Sequence, residues 1–243
     1  MTSLRPNRRA FIAAVAGASA VVATGCARES ASTHGLHGIT EDTEGISPDQ
    51  ALTKLTEGNA RFVAMTEIEP NLSETRLMAV SQGQTPFVGV LGCVDSRVPP
   101  ELVFDRGLGD VFDTRIAGAI ADDAAIGSLE FGVEEFDVPL LVVLGHSRCG
   151  AVTAAVKTLT SGSATPPGRI AAVVDPIIPA VKSVEQQGVT GDAVVNAAAR
   201  EVVRRGTAAL TSSPVLKERL AAGTLKIVGA FYDLDTGKVE FFA

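Results

Sequence analysis

Two short, uninterrupted apolar runs at 87–92 and 139–145, with a third strand predicted at 111–116, most narrow what this chain can fold into. Runs this brief and this uniformly apolar read as strands buried on both faces, as in a parallel sheet. Stretches with helical spacing lie among and after them, at 124–136, 151–160, 170–186 and 193–210. Strands alternating with helices argue for an α/β fold, a central and mainly parallel sheet flanked by helices. A further strand is predicted at 226–232, and Asp235-Thr236-Gly237 reads as a turn into 238–242. Such a hairpin makes the final strand an antiparallel edge. Upstream, Ser47-Pro48-Asp49 looks like an N-cap with proline at the first helical position. Ala51, Leu52, Leu55, Asn59, Phe62 and Val63 continue it at helical spacing to about Met65. With 46% apolar residues in 243, the chain can build a substantial core.

The segment before this region is of another kind. Arg8-Arg9-Ala10-Phe11-Ile12 precedes small apolar residues that end in Ala23-Thr24-Gly25-Cys26. The apolar run is too short for the roughly 20 residues of a membrane-spanning helix, so residues 1–26 read as an export signal. The paired arginines resemble a twin-arginine signal, and the small residues before Cys26 resemble a lipoprotein site at which that cysteine is lipidated. Ala23 departs from that pattern, where leucine is more common, and a short uncleaved anchor is the bland alternative. Residues 27–46, rich in Ser, Thr, Gly, Glu and Asp, suit a flexible linker. His34 and His37 fall in it and read as bystanders. The catalytic domain is then 47–243, in an exported protein that lies outside the cytoplasm or at the cell surface. Membrane contact is expected only through the signal or a lipid on Cys26.

Charge excludes one class of partner. The chain has 21 Lys+Arg against 28 Asp+Glu, a net −7, and losing Arg5, Arg8 and Arg9 with the signal takes this to −10. So acidic a protein offers no basic face to a phosphate backbone, and nucleic-acid binding is not expected.

The chemistry-bearing residues stand where the strands stop. The first apolar run passes directly into Cys93-Val94-Asp95-Ser96-Arg97, and the second into His146-Ser147-Arg148-Cys149-Gly150. In open α/β sheets the ligand crevice lies outside the carboxyl ends of the strands, so two neighbouring strands would deliver both clusters to one place. Two thiolates and an imidazole form a ligand set that zinc favours, with a fourth position left open for catalysis. Cys149 would lie at a helix N-terminus, which favours its thiolate. Gly150, lacking a Cβ, lets its N–H approach the metal face, which makes it a candidate for substrate binding. The same residues also fit a redox pair of Cys93 with Cys149, given an oxidising compartment outside the cell.

Together, Cys93-x-Asp95-Ser96-Arg97 and His146-x-x-Cys149-Gly150 resemble the zinc-binding signature of the β-class carbonic anhydrases. The resemblance extends through Arg97-Val98-Pro99-Pro100-Glu101, Arg115-Ile116-Ala117-Gly118, Gly127-Ser128-Leu129-Glu130-Phe131 and 229–237, and covers roughly 47–243. It implies four parallel strands with an antiparallel edge strand, and pairing through that edge and the N-terminal helix into a homodimer or homotetramer. The exposed apolar chemistry of 237–242 would agree with a paired edge. It also implies one zinc per chain on Cys93, His146 and Cys149, with Asp95 and Arg97 as the catalytic dyad. Gln84, nine residues before Cys93, would hydrogen-bond substrate. After Arg115-Ile116-Ala117-Gly118 the family commonly carries Asn, whereas this chain has Ala119 and lacks that amide.

The activity implied is the reversible hydration of carbon dioxide to bicarbonate and a proton by hydroxide generated at the zinc. Asp95 would accept the hydroxide's hydrogen while Arg97 keeps the carboxylate ionised. Arg148, between two of the ligands, reads as a solvated side chain. Related zinc hydrolases of carbonyl sulfide or carbon disulfide use the same ligand set. A non-catalytic zinc or redox module is the remaining alternative, and it has no use for Asp95 and Arg97.

Overall fold

The Ser47-Pro48 start of the first helix forms as its residues dictate. In the computed structural model, which describes residues 43–160 and 166–242, the Ser47 side chain accepts the Gln50 N–H at 3.3 Å. Gln50 in turn accepts the Ser47 N–H at 2.8 Å, closing a capping box around α1 (Pro48–Ala64). The export signal, Cys26, His34 and His37 lie outside the described residues. Helix α1 ends at Ala64 and is capped by Met65 at a left-handed φ of 54°, close to the predicted end.

The remaining elements follow in chain order: α2 (Glu74–Val80), β1 (Val88–Gly92), α3 (Pro100–Val103), β2 (Val111–Arg115), α4 (Asp123–Phe136), β3 (Leu140–His146) and α5 (Gly150–Thr160). After these come α6 (Ala171–Val174), α7 (Ile178–Gln186), α8 (Ala193–Ser212), α9 (Pro214–Ala221), β4 (Lys226–Tyr232) and β5 (Val239–Phe242). Among the described residues the five strands form one sheet in the order β2-β1-β3-β4-β5. The first four are parallel, and β5 is antiparallel to β4, as expected.

Every residue of β1 and β3 is buried. On one face Val88, Val90, Leu140, Val142 and Leu144 pack with Ala51 and Leu55 of α1 and with Val103 and Phe104. On the other, Leu91, Leu141 and Val143 meet Leu129 of α4, Val203 of α8 and Leu216 of α9. Covering both faces is what an all-apolar strand requires. Gly58 lets α1 lie directly on the chain beyond α3, since a Cβ there would fall 1.8 Å from the Phe104 carbonyl oxygen.

Two expectations are corrected. The helix predicted over 170–186 is broken into α6, a 3₁₀ turn at Asp175–Ile177, and α7. Pro176 has no N–H to continue the ladder, whereas Pro179 is tolerated in the first turn of α7. The terminal strand is also less exposed than its composition implies. Phe241 stacks on Phe104 with centroids 6.1 Å apart, and Phe242 lies beneath the guanidinium groups of Arg200 and Arg204. Antiparallel pairing with β4 turns these rings onto the chain's own core and leaves only Glu240 of β5 exposed. The short helices α2 and α9 were unforeseen, although Ser73 and Ser213 cap them as Ser47 caps α1.

Asn59, placed by spacing on the apolar face of α1, is the polar pin of this region. Its amide donates to the carbonyls of Val103 at 3.1 Å and Gly237 at 2.9 Å, and its oxygen accepts from Val239 N–H at 2.8 Å. One buried side chain thus ties α1, the end of α3 and the β4–β5 hairpin. Replacing Asn59 by leucine would strand all three backbone groups, and a stability loss of about 3 kcal/mol is expected. Urea unfolding measures it, and a loss within about 0.5 kcal/mol, as for an ordinary surface change, would reject the bracing role.

Candidate metal centre

Strands β1 and β3 are hydrogen-bonded neighbours in parallel register, Gly92 opposite Leu144. Cys93, one residue beyond β1, and His146, the last residue of β3, therefore emerge at the same end of the sheet. Cys149 follows three residues later, at the head of α5. The two Sγ atoms and a ring nitrogen of His146 lie within 4.8 Å of one another. All three residues are buried, at 5%, 1% and 2% exposure for Cys93, His146 and Cys149.

The donor set can be tested against a metal. His146 Nδ1 stands 2.9 Å from the Ser147 carbonyl oxygen. A carbonyl only accepts, so Nδ1 carries the proton and Nε2 presents its lone pair. That Nε2 is buried and has no hydrogen-bond partner, an arrangement that costs free energy unless a ligand uses it. Zinc bonds of roughly 2.0–2.3 Å to nitrogen and sulfur place tetrahedral ligand atoms some 3.5–3.8 Å apart. With its donor atoms within 4.8 Å of one another, the cluster is compact enough to close on one such ion, and its three donors leave a fourth position open.

The two thiols differ in acidity. Cys149, donating to the Cys93 sulfur, holds the Cys93 thiol below its usual range against the opposing effect of burial. The Gly118 N–H, 3.3 Å from that sulfur, helps. The same shared proton, together with burial, pushes the Cys149 thiol well above its usual range. A divalent cation between the sulfurs is what allows both to ionise. Gly118 is required where it stands: its φ is 80°, and a Cβ would come 2.7 Å from Ile177 Cδ1. Both cysteines are free thiols, so the predicted alternative of a Cys93–Cys149 disulfide is not formed.

Asp95, two residues beyond Cys93, is gripped by Arg97. The guanidinium donates from Nε to Oδ1 at 2.9 Å and from Nη2 to Oδ2 at 2.8 Å, and the Arg97 backbone N–H adds a bond to Oδ1 at 3.0 Å. These bonds hold the Asp95 carboxyl well below the usual carboxylate range. Asp95 Oδ2 lies 3.8 Å from His146 Nε2, so the dyad faces the ligand cluster. Arg115, at the end of β2, was not singled out as a site residue. Its Nε donates to the Cys93 carbonyl at 2.9 Å and its Nη2 to the Asp95 carbonyl at 2.6 Å. Only the lateral pairing of β2 with β1 brings it there.

Gly150 opens α5 beside Cys149, with open space where a side chain would be. Arg148 is exposed, as read, but it is also paired with Asp235 through two bonds of 2.6 and 2.8 Å. Ala119 is buried at a left-handed φ of 53°, which costs a non-glycine residue about 1 kcal/mol and which Asn tolerates better. Gln84 is not brought to the cluster within one chain. It lies in the loop before β1, lining a surface cavity with Val80, Leu108, Gly109 and Phe136, at the opposite end of the strand from Cys93.

An open three-ligand metal centre at the carboxyl ends of a parallel α/β sheet defines a metalloenzyme of the α/β class. The family model described as carbonic anhydrase matches residues 88–239. Carbonic anhydrase 2 of Mycobacterium tuberculosis is 40% identical, over 79% of this chain and 91% of its own length. The carbonic anhydrase of Mycolicibacterium smegmatis is 39% identical, over 80% and 93%. Among solved structures, a tetrameric β-carbonic anhydrase of Sordaria macrospora superimposes with a TM-score of 0.62 at 25% identity, covering 69% of this chain and 85% of that one. A β-carbonic anhydrase of Aspergillus fumigatus does so with 0.62 at 27% identity, covering 80% and 89%. The chain belongs to the β-carbonic anhydrase family.

Metal content and thiol reactivity check the centre. The purified protein is expected to carry about one zinc, and Cys149→Ala to lose it. Iodoacetamide should alkylate Cys93 and Cys149 only after chelation under denaturing conditions, because both are buried ligands. Ready alkylation of both thiols in the native, metal-loaded protein would overturn that assignment.

Proposed function

We propose that this chain is an exported enzyme that interconverts carbon dioxide and bicarbonate at Cys93, His146 and Cys149, with Asp95 and Arg97 as its catalytic dyad. The observation that carries the reading is the Asp95 carboxylate, clamped by Arg97 and facing the ligand cluster at 3.8 Å from His146 Nε2. Zinc, when bound by these ligands, supplies the Lewis acidity that makes water a nucleophile near neutral pH. Asp95 Oδ2 accepts the hydrogen of the attacking water and so turns an oxygen lone pair toward the carbon of carbon dioxide. Arg97 keeps that carboxylate ionised and fixed in direction. The Gly150 N–H stands where it can meet a substrate oxygen. His146 is the one histidine of the described residues and is committed to the cluster, so the product proton leaves through water or buffer.

Gln84 can serve the substrate only from a second copy of the chain, because its own chain holds it at the far end of β1. A homodimer or homotetramer is therefore part of the reading. The tetrameric assembly of the Sordaria macrospora relative supports it. For export, Arg8 and Arg9 would address the protein to a twin-arginine route, which carries folded proteins. That suits a site whose thiols are best loaded with metal before they meet oxidants. Cys26 would carry the lipid.

The dyad is expected to separate from the ligands under mutation. Arg97→Ala should lose most activity yet keep its zinc, in a stopped-flow hydration assay paired with metal analysis. Near-normal turnover would reject the dyad. The pH profile should rise toward alkaline pH with a midpoint above about 7, because two thiolates offset the charge of zinc and weaken its pull on water. The lowered pKa of Asp95 means that its stabilising contribution is complete above its unfolded value and is lost only in strong acid. The dyad is therefore ionised across about pH 6–9, and activity there should decline as the pH is lowered, without any loss of stability traceable to the dyad; a flat rate would reject this account. Replacing Arg8 and Arg9 by lysine should retain the protein inside the cell, and Cys26→Ala should release it from membranes. Normal secretion of the first variant, or an unchanged membrane fraction of the second, would refute the corresponding half of the export reading.

A further inference from the structure

The turn that joins two of the ligands runs against the backbone preference of its own sequence. Arg148, between His146 and Cys149, has a φ of 54°, a left-handed conformation that arginine rarely adopts. Ser147 still follows the sheet: its N–H donates to the Tyr232 carbonyl and its Oγ accepts from the Leu234 N–H, each at 2.9 Å. The reversal at Arg148 then carries the chain to Cys149, whose carbonyl accepts the Thr153 N–H at 2.9 Å in the first turn of α5. The Arg148 N–H thus has no place in either the β3–β4 ladder or the helix. Asn196, on the second turn of α8, takes it with Oδ1 at 2.8 Å. The Arg148 guanidinium is also bound by Asp235, but those side chains are 52% and 68% exposed, and pairing in water holds a turn weakly. Asn196 is half-buried on a 20-residue helix that packs against both β3 and β4.

We propose that Asn196 is a positioning residue of the metal centre, its Oδ1 fixing the left-handed turn at Arg148 and through it the separation of the Cys149 sulfur from His146 Nε2. Asn196 acts through the backbone, accepting from the N–H of Arg148. Partners of this kind, one step removed from a metal, typically alter affinity by roughly 10–100-fold when removed.

The inference rests on the metal-site reading, and cobalt(II) binding separates the two. Cobalt affinity is measured by chelator competition and ligand geometry by the visible spectrum of the cobalt protein. Asn196→Leu keeps the volume but removes the acceptor, and should weaken cobalt roughly 10–100-fold and shift its absorption bands. Asn196→Asp keeps an acceptor oxygen in place and should restore most of the affinity; Asn196→Ala substitutes for the leucine variant if that does not fold. In an Arg148→Gly background the left-handed turn is unstrained, so adding Asn196→Leu should cost less affinity than it does in the parent. Parent-like affinity and spectrum in Asn196→Leu, equal losses in the leucine and aspartate variants, or an undiminished loss in the Arg148→Gly background would each overturn the proposal. A parent protein that binds no cobalt would instead overturn the metal site itself.

Discussion

The parallel register of β1 against β3 is the constraint on which the rest of the molecule depends. With Gly92 opposite Leu144, Cys93 and His146 leave the sheet side by side, and the turn after β3 needs only three residues to add Cys149. A slip of one residue would send every side chain of the strand to the opposite face and carry His146 away from Cys93. The register is held because both faces are sealed. Val88, Val90, Leu140, Val142 and Leu144 fill one side, and Leu91, Leu141 and Val143 the other. The apolar core thus sets the geometry of a polar centre to which it contributes no ligand.

That centre is built to hold negative charge out of water. Two thiols, an imidazole with an unpartnered Nε2, and a carboxylate crowd the ends of two strands. Burial alone would neutralise such groups. Opposing it are the Gly118 N–H on the Cys93 sulfur, the Arg97 guanidinium on Asp95, and the Arg115 guanidinium across the carbonyls of Cys93 and Asp95. A divalent cation held by Cys93, His146 and Cys149 would complete the balance, with the Asp95 carboxylate facing it.

Much of this was legible in the residues. The apolar runs located β1 and β3 to within about a residue, because a strand buried on both faces has no freedom to be polar. By contrast β2, expected to be equally buried, is a half-buried edge strand carrying Asp113 and Arg115. Ser47-Pro48 marked the start of α1, and Asp235-Thr236-Gly237 the hairpin, because caps and turns are local chemistry. The break at Pro176 was legible too, as proline lacks the N–H that a continuous helix needs, but helical spacing on either side concealed it. Arg115, Asn59 and Asn196 carried no comparable signal. Each satisfies a backbone group that is 22, 44 and 48 residues away in sequence, respectively. A long-range hydrogen bond leaves no periodicity in either partner.

The sequence by itself determined the class of fold, the ligand types and the strand ends at which they stand, since these follow from hydrophobic patterning and side-chain chemistry. Only the tertiary structure decided which strands are neighbours, which nitrogen of His146 is free, and which backbone N–H groups reach the thiols. It also decided that Gln84 stands apart from the cluster within its own chain, because the length of β1 lies between them. Those properties depend on distances between segments remote in sequence, and packing the two faces of the sheet is what sets those distances.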